Sequence, residues 1–245
     1  FSGQIKRIKE KNIPLVTFDS GVRPEQAQGA VLATAATDNR AAGGVVAERM
    51  FEELKGRIAK FSANKKAKIA VLQHDNSDSG VERAEGFVNR FKQLADSDTT
   101  TANKYVLQVI VPTTQNESDT ANEVNALRGK SVLGIYFSNE AMARGFLVVY
   151  KSAESGVANT IIGDAQDGGD LVAMGFDSGK PQLDAIRSGI ILGSVTQNPY
   201  QIGYQAVSLA VKASKGESIS SVDTGAKWYD KTNIDDPDIA QLLYE

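Results

Sequence analysis

The sequence predicts an α/β fold built from parallel sheets, and three observations carry that prediction. Strand-like and helix-like stretches alternate along the 245 residues, the pattern of successive β–α units with right-handed crossovers. The strand stretches are short and continuously apolar, as in "AKIAVLQ" at 67–73 and "LVAMGFD" at 171–177, which suits sheets covered on both faces. The helix stretches instead space their apolar residues three and four apart.

The elements follow in order. In "FSGQIKRIKEKNIPLVTFDSG", Phe1, Ile5 and Ile8 share one helical face. Asn12 and Pro14 stop that helix, and Leu15, Val16 and Phe18 make a strand expected to be buried. A long helix starts near Asp38, its N-cap, with Ala42, Val45, Val46, Met50 and Leu54 inward. After the strand at 67–73 comes a helix at 79–95 with Val81, Phe87, Phe91 and Leu94 inward. The polar stretch at 96–104 reads as a surface loop. A strand at 105–111 leads to a helix at 118–129 capped by Ser118 or Asp119, a strand at 132–138 and a helix at 139–153. A strand at 171–177, a helix at 180–189 ended by Gly189, a strand at 190–197 and a helix at 200–216 follow. An extended piece at 226–229 and a short helix in the tail "PDIAQLLYE" complete the chain.

Composition excludes several function classes. A net charge of −3 with scattered basic residues offers no nucleic-acid surface and no polybasic membrane patch. No apolar run approaches the roughly 20 residues of a membrane span. Cysteine is absent, which removes disulfides, thiolate metal sites and thiol nucleophiles and leaves the redox compartment open. The single histidine, His74, argues against a His-based metal centre or a Ser-His-Asp triad. No cofactor is expected: neither G-x-x-x-x-G-K-[ST] nor G-x-G-x-x-G occurs. The acidic stretches "HDNSDSG" (74–80) and "GDAQDGGD" (163–170) do not match a calcium loop. His74 reads as a loop residue, and Trp228 and Tyr229 read as packing.

The polar residues that remain gather at strand ends. "VTFDS" ends on Asp19 and Ser20, "YFSNE" on Asn139, "MGFDS" on Asp177 and Ser178, and "SVTQN" on Gln197; Arg83 opens the helix after "AVLQHDNSDSG". In open α/β sheets, ligands sit outside these carboxyl edges. Carboxylates accept from hydroxyls, a guanidinium donates in a fork, and amides do both, so the set suits a polyol better than a phosphate. Taken singly, Asp19, Asn139 and Asp177 could each cap a helix or form a turn, Gln197 could be a turn, and Arg83 could pair with Glu82 or Glu85 on the surface. Only the whole set at one edge favours a ligand. Asp19 and Asp177 could be imagined as the acid pair of a glycosidase, but neither is marked as a raised-pKa acid, so no enzyme is expected.

Seven short motifs, "IPLVTFDSGV", "ATDNRAAGG", "SGVERAEGF", "VPTTQN", "YFSNEAMARG", "MGFDSG" and "TQNPYQIGY", together resemble the ribose-binding-protein group of periplasmic sugar-binding proteins, the solute receptors of ABC importers. They occur in the family's order over nearly the whole chain. The regulatory domains of LacI-type repressors share the fold and some motifs, but "SVTQNPYQIGYQA" looks like the transport proteins. The resemblance implies an α/β fold of two doubly wound parallel-sheet domains joined by three crossing strands, near Ala35–Thr37, Gln197–Asn198 and Asp223–Gly225. The first domain would take residues 1–35 and 198–224, and the second 36–197 and 225–245. It further implies that Asp19, Arg83, Asn139, Asp177 and Gln197 bind the sugar. Ser20 stands where the family often has arginine, which leaves the sugar undefined. The implied partners are a monosaccharide and the membrane permease of an ABC importer, with no nucleic acid, for a monomer that is periplasmic or extracellular, free or lipid-anchored. The opening helix resembles the third helix of the family's first domain, so about 70 residues are expected before it, at roughly 30 per βαβ step, and the first domain is expected to be incomplete. The competing readings are a repressor effector domain cut from its DNA-binding headpiece, and an α/β enzyme acting on a sugar or nucleotide.

Overall fold

The computed structural model describes residues 2–127, 130, 132–154 and 171–244. The expectations placed on Phe1, on the end of the 118–129 helix and on the acidic stretch 163–170 lie outside them. In chain order the elements are α1 (Ser2–Glu10), β1 (Leu15–Phe18), α2 (Pro24–Ala27), β2 (Val31–Ala36), α3 (Asn39–Ile58), β3 (Ala67–Leu72), α4 (Asp78–Ser97), β4 (Tyr105–Ile110), α5 (Glu117–Asn125), β5 (Val132–Phe137), α6 (Glu140–Glu154), β6 (Val172–Phe176), α7 (Lys180–Arg187), β7 (Gly193–Gln197), α8 (Pro199–Ser214), β8 (Val222–Asp223), β9 (Ala226–Asp230) and α9 (Pro237–Ala240).

Among the described residues the strands form two sheets. One is three-stranded, in the order β1-β2-β8, and the other six-stranded, in the order β4-β3-β5-β6-β7-β9. All pairings are parallel except β7 with β9. The chain passes between the sheets after β2, after β7 and after β8. The large sheet carries a core on each face. Ile69 and Val71 of β3 join Met50 and Leu54 of α3 and Phe87 and Phe91 of α4. Ala70 and Leu72, one residue out of phase, join Val124 of α5, Phe146 of α6 and Ile186 of α7. This is the two-sided burial that continuous apolar strands imply. The small sheet packs Ala33 and Ala35 of β2 against Leu209 of α8.

Caps fix where helices begin. Asp38 accepts from the Ala41 amide at 2.9 Å and Ser77 from the Gly80 amide at 3.2 Å. The cap of α5 is Asn116, which accepts from the Asp119 amide at 2.8 Å, and not Ser118 or Asp119. Asp119 is engaged elsewhere: its Oδ2 accepts from both the amide and the hydroxyl of Thr114.

Four other expectations need correction. The strand of Leu15–Phe18 is only half-buried: among the described residues it pairs on one side only, with β2, and Phe18 is 64% exposed. Val45 of α3 faces out at 36% exposure. Gly189 turns the chain at φ 79 and residues 190–192 stay out of the sheet, so β7 starts at Gly193. The strand β2, "VLATAA", went unpredicted beyond its last residues: half its side chains are alanine, so its apolar alternation is faint.

Candidate functional site

The carboxyl ends of strands from both sheets meet at one cleft of about 600 Å³, within the roughly 300–1,000 Å³ of small-molecule sites. Asp19, Arg83, Asn139, Asp177 and Gln197 all line it. Four are delivered by strands. Asp19 directly follows β1, Asn139 lies two residues beyond β5, Asp177 directly follows β6, and Gln197 is the last residue of β7. The fifth, Arg83, stands in the second turn of α4.

Arg83 is buried, at 4% exposure, so each of its donors must be accounted for. Its Nε donates to Asn39 Oδ1 at 2.8 Å, and its Nη1 donates to the Ser138 carbonyl at 3.0 Å and lies 3.5 Å from Asp177 Oδ2. Its Cζ sits 3.8 Å from the centre of the Phe176 ring, a cation–π contact. Glu82 and Glu85 pair instead with Arg40. Among the described residues Arg83 Nη2 has no hydrogen-bond partner, which leaves two N–H donors for a ligand.

Asp177 is held at φ 72, in the left-handed region that non-glycine residues seldom occupy. Its amide donates to the Val195 carbonyl at 2.8 Å. Its own carbonyl accepts from the Tyr229 hydroxyl at 2.7 Å, the Ser194 hydroxyl at 2.9 Å and Gln182 Nε2 at 3.2 Å. Oδ1 accepts from Gln197 Nε2 at 2.9 Å, and Oδ2 faces Arg83. Gln197 Oε1 is buried without a partner among the described residues. Asn139 does cap a helix, its Oδ1 accepting from the Met142 amide at 3.1 Å, while still lining the cleft. Asp19, across the cleft, is also left-handed at φ 61, and its amide donates to the Ala35 carbonyl at 2.9 Å.

Phe18, His74, Asp75, Gln115 and Tyr244 also line the cleft and were not predicted. His74 is a loop residue, as expected, but a buried one. Ser138 Oγ accepts from the His74 amide at 2.8 Å and lies 2.9 Å from Nδ1, and Asp75 Oδ1 lies 3.2 Å from Nε2. Burial pushes the imidazole below its ordinary pKa of 6.5, and Arg83 pushes the same way, against Asp75, Asp177 and Asp19. Asp75 loses solvent, which would raise its pKa, but bonds from Ser77, the nearby His74 and a bond from Gln115 bring it below the usual value. The position of His74 two residues beyond β3 was a usable signal, since Asn139 lies in the same place after β5. Tyr244 gave none. It reaches the cleft because Ile239 and Leu242 bury the tail before it. Tyr229 packs as expected, fully buried. Trp228 lies over Gly193, where a Cβ would stand 2.2 Å from the indole.

Comparison with known proteins agrees with this architecture. A family model described as "Periplasmic binding protein domain" matches residues 1–218. Among curated proteins, the ribose import binding protein RbsB of Haemophilus influenzae is 28% identical over 214 residues, which are 86% of this chain and 61% of that protein. The chain thus spans about three fifths of that relative's length. Among solved structures, one named "ABC transporter, LacI family transcriptional regulator" from Brachyspira murdochii is 79% identical with a TM-score of 0.94, covering 100% of this chain and 77% of that one. An ABC transporter solute binding protein from Agrobacterium vitis with bound D-fucose is 26% identical with a TM-score of 0.76, covering 99% of this chain and 75% of that one.

Proposed function

The chain belongs to the periplasmic binding protein domain family, and from that premise we propose that it serves in a solute receptor that captures a monosaccharide and delivers it to an ABC import permease. The observation that carries this reading is the convergence of Asp19, Arg83, Asn139, Asp177 and Gln197 on one cleft, with acceptors and donors of the kind that sugar hydroxyls need. Asp177 and Gln197 accept and donate in alternation, Arg83 offers its free Nη2, and Asp19 supplies a carboxylate from the opposite side. The named relatives, one for ribose import and one holding D-fucose, support an aldose as the ligand class.

The lobes of this receptor are residues 1–35 with 198–224, and 36–197 with 225–245. They rotate about the three crossings, and the closed form is favoured by ligand because only it makes both sets of contacts. The receptor acts outside the cytoplasmic membrane; among the described residues no helix is long and apolar enough to cross one. It binds without chemistry.

A thermal-shift panel of uncharged aldoses on the intact protein tests this. Binding to the folded state raises the midpoint by mass action, so a cognate sugar stands out. A panel that moves nothing, or turnover of a bound sugar, overturns the reading. A second reading, the effector domain of a LacI-type repressor, is favoured by the printed name of the 79% identical structure. A helix-turn-helix encoded upstream would decide for it, and a signal peptide there against it.

A further inference from the structure

Each of the three passages between the sheets delivers one polar side chain to the Arg83–Asp177 pair. Just after the first, Asn39 opens α3 and is 4% exposed; it accepts from Arg83 Nε at 2.8 Å. Just before the second, Gln197 ends β7 and donates to Asp177 Oδ1 at 2.9 Å. Just after the third, Tyr229 of β9 is fully buried and donates its hydroxyl to the Asp177 carbonyl at 2.7 Å. Gln197 lines the cleft, whereas Asn39 and Tyr229 do not.

We propose that Asn39 and Tyr229 are positioning residues of the cleft, which hold the Arg83 guanidinium and the Asp177 carboxylate in their ligand-facing geometry before any ligand arrives. This rests on the reading of the cleft as a sugar site. The physical basis differs for the two. Stacking on Phe176 alone leaves the guanidinium room to slide and tilt over the ring, and the Asn39 bond to Nε, with the Ser138 bond to Nη1, restricts that movement so that Nη2 is left over. Asp177 stays left-handed only because its surroundings over-determine it, and three donors on one carbonyl do so. A site held this way loses less freedom on binding, which is where pre-organisation raises affinity.

The test uses Asn39→Ala, Asn39→Asp and Tyr229→Phe. Titration calorimetry with D-ribose, D-fucose and D-arabinose reads affinity. NMR on the sugar-free protein reads exchange with water of the Arg83 Nε–H and the Asp177 amide. Asn39→Ala and Tyr229→Phe are expected to weaken the best-bound of these sugars about three- to tenfold, the scale of one lost hydrogen bond. Asn39→Asp keeps the acceptor and restores affinity. In the sugar-free protein Asn39→Ala accelerates exchange at Arg83 Nε–H, and Tyr229→Phe at the Asp177 amide, with exchange in β5 unchanged; a merely structural role would accelerate β5 as well. Unchanged affinity together with unchanged local exchange overturns the proposal. If the unmutated protein binds none of the three sugars, it is the sugar reading that fails for them, and the exchange rates alone decide on the positioning.

Discussion

Asp19 and Asp177 each end a strand in the left-handed region, and each turns a carboxylate toward the same cleft from a different sheet. Such a conformation costs on the order of 1–3 kcal/mol and survives where function or packing demands it. His74, the only histidine in the chain, lines the same cleft, and this allows a clean pH prediction. Its folded-state pKa lies below the ordinary 6.5, chiefly through burial, so the unfolded chain binds the proton more readily. The unfolded state therefore holds more protons as pH falls through that range, and stability present above about 6.5 is lost below it. Thermal midpoints measured from pH 8 to pH 5 should fall as His74 is forced to protonate, and His74→Gln should flatten that slope. An identical slope in the variant would show that carboxylates, not His74, set it. The five polar residues were legible in the sequence because each sits where a strand ends or the next helix begins. His74 obeyed the same placement rule, but a lone imidazole after a strand is no different in sequence from one in an open loop. What distinguishes it, the Ser138 hydroxyl and the Asp75 carboxylate on either side, depends on the pairing of β3 with β5.

At the scale of elements, α3 and α4 cross closely enough that two glycines face backbone. A Cβ on Gly43 would stand 2.3 Å from the Arg83 carbonyl oxygen, and one on Gly86 would stand 2.2 Å from the Arg40 carbonyl oxygen. Neither contact can be relieved by turning a side chain, so the helices would have to separate. Arg83 rides on α4 and takes its Nε bond from α3, so the crossing also sets the site. Gly86→Ala should therefore cost about 1–3 kcal/mol, as overpacking does. Gly44→Ala is the control: its Cβ would meet the Arg90 side chain at 3.7 Å and the Gly86 carbonyl oxygen at 4.0 Å, ordinary contacts, and alanine is the better helix former by about 1 kcal/mol. Chemical denaturation of both variants checks the pair; equal stability would mean that the helices have room to move apart. The helices were the most legible elements, since an apolar stripe and an Asp38 cap survive in any tertiary setting. The edge elements were not. β1 read as buried because its sequence is apolar, and β2 was nearly lost among alanines, because neither its place in a sheet nor the depth of burial is written into four or six residues. The antiparallel partner of β7 showed only as an extended piece at 226–229, since direction is fixed by the route of the chain after its third passage between the sheets.

For the whole molecule, the question is what holds the two sheets facing each other across the cleft. Besides the three crossings, the segment after β1 reaches the start of α4. Arg23 Nε lies 3.1 Å from the Asp78 carboxylate, its Nη2 donates to the Asn76 carbonyl, and the Ser20 and Ser79 hydroxyls are 3.2 Å apart. These contacts join the segment after the small sheet's β1 to a helix of the large sheet. Arg23 and Asp78 are partly exposed, so water screens the pair and it contributes well under a buried ion pair, about 0.2–1 kcal/mol. On the proposed reading of two lobes that close over a sugar, a contact formed late in closure changes the escape of the ligand more than its entry. Arg23→Ala should therefore speed dissociation of the best-bound aldose about two- to fivefold, with association nearly unchanged. Raising the salt concentration should do part of the same to the unmutated protein, by screening. Asp78→Ala should match it, and the double variant should add little to either single one, since both remove the same pair. Stopped-flow fluorescence using Trp228, the single tryptophan, can follow both rates. If the two single variants add in full, Arg23 and Asp78 act separately, and the contact is a surface pair rather than a clasp on the closed form.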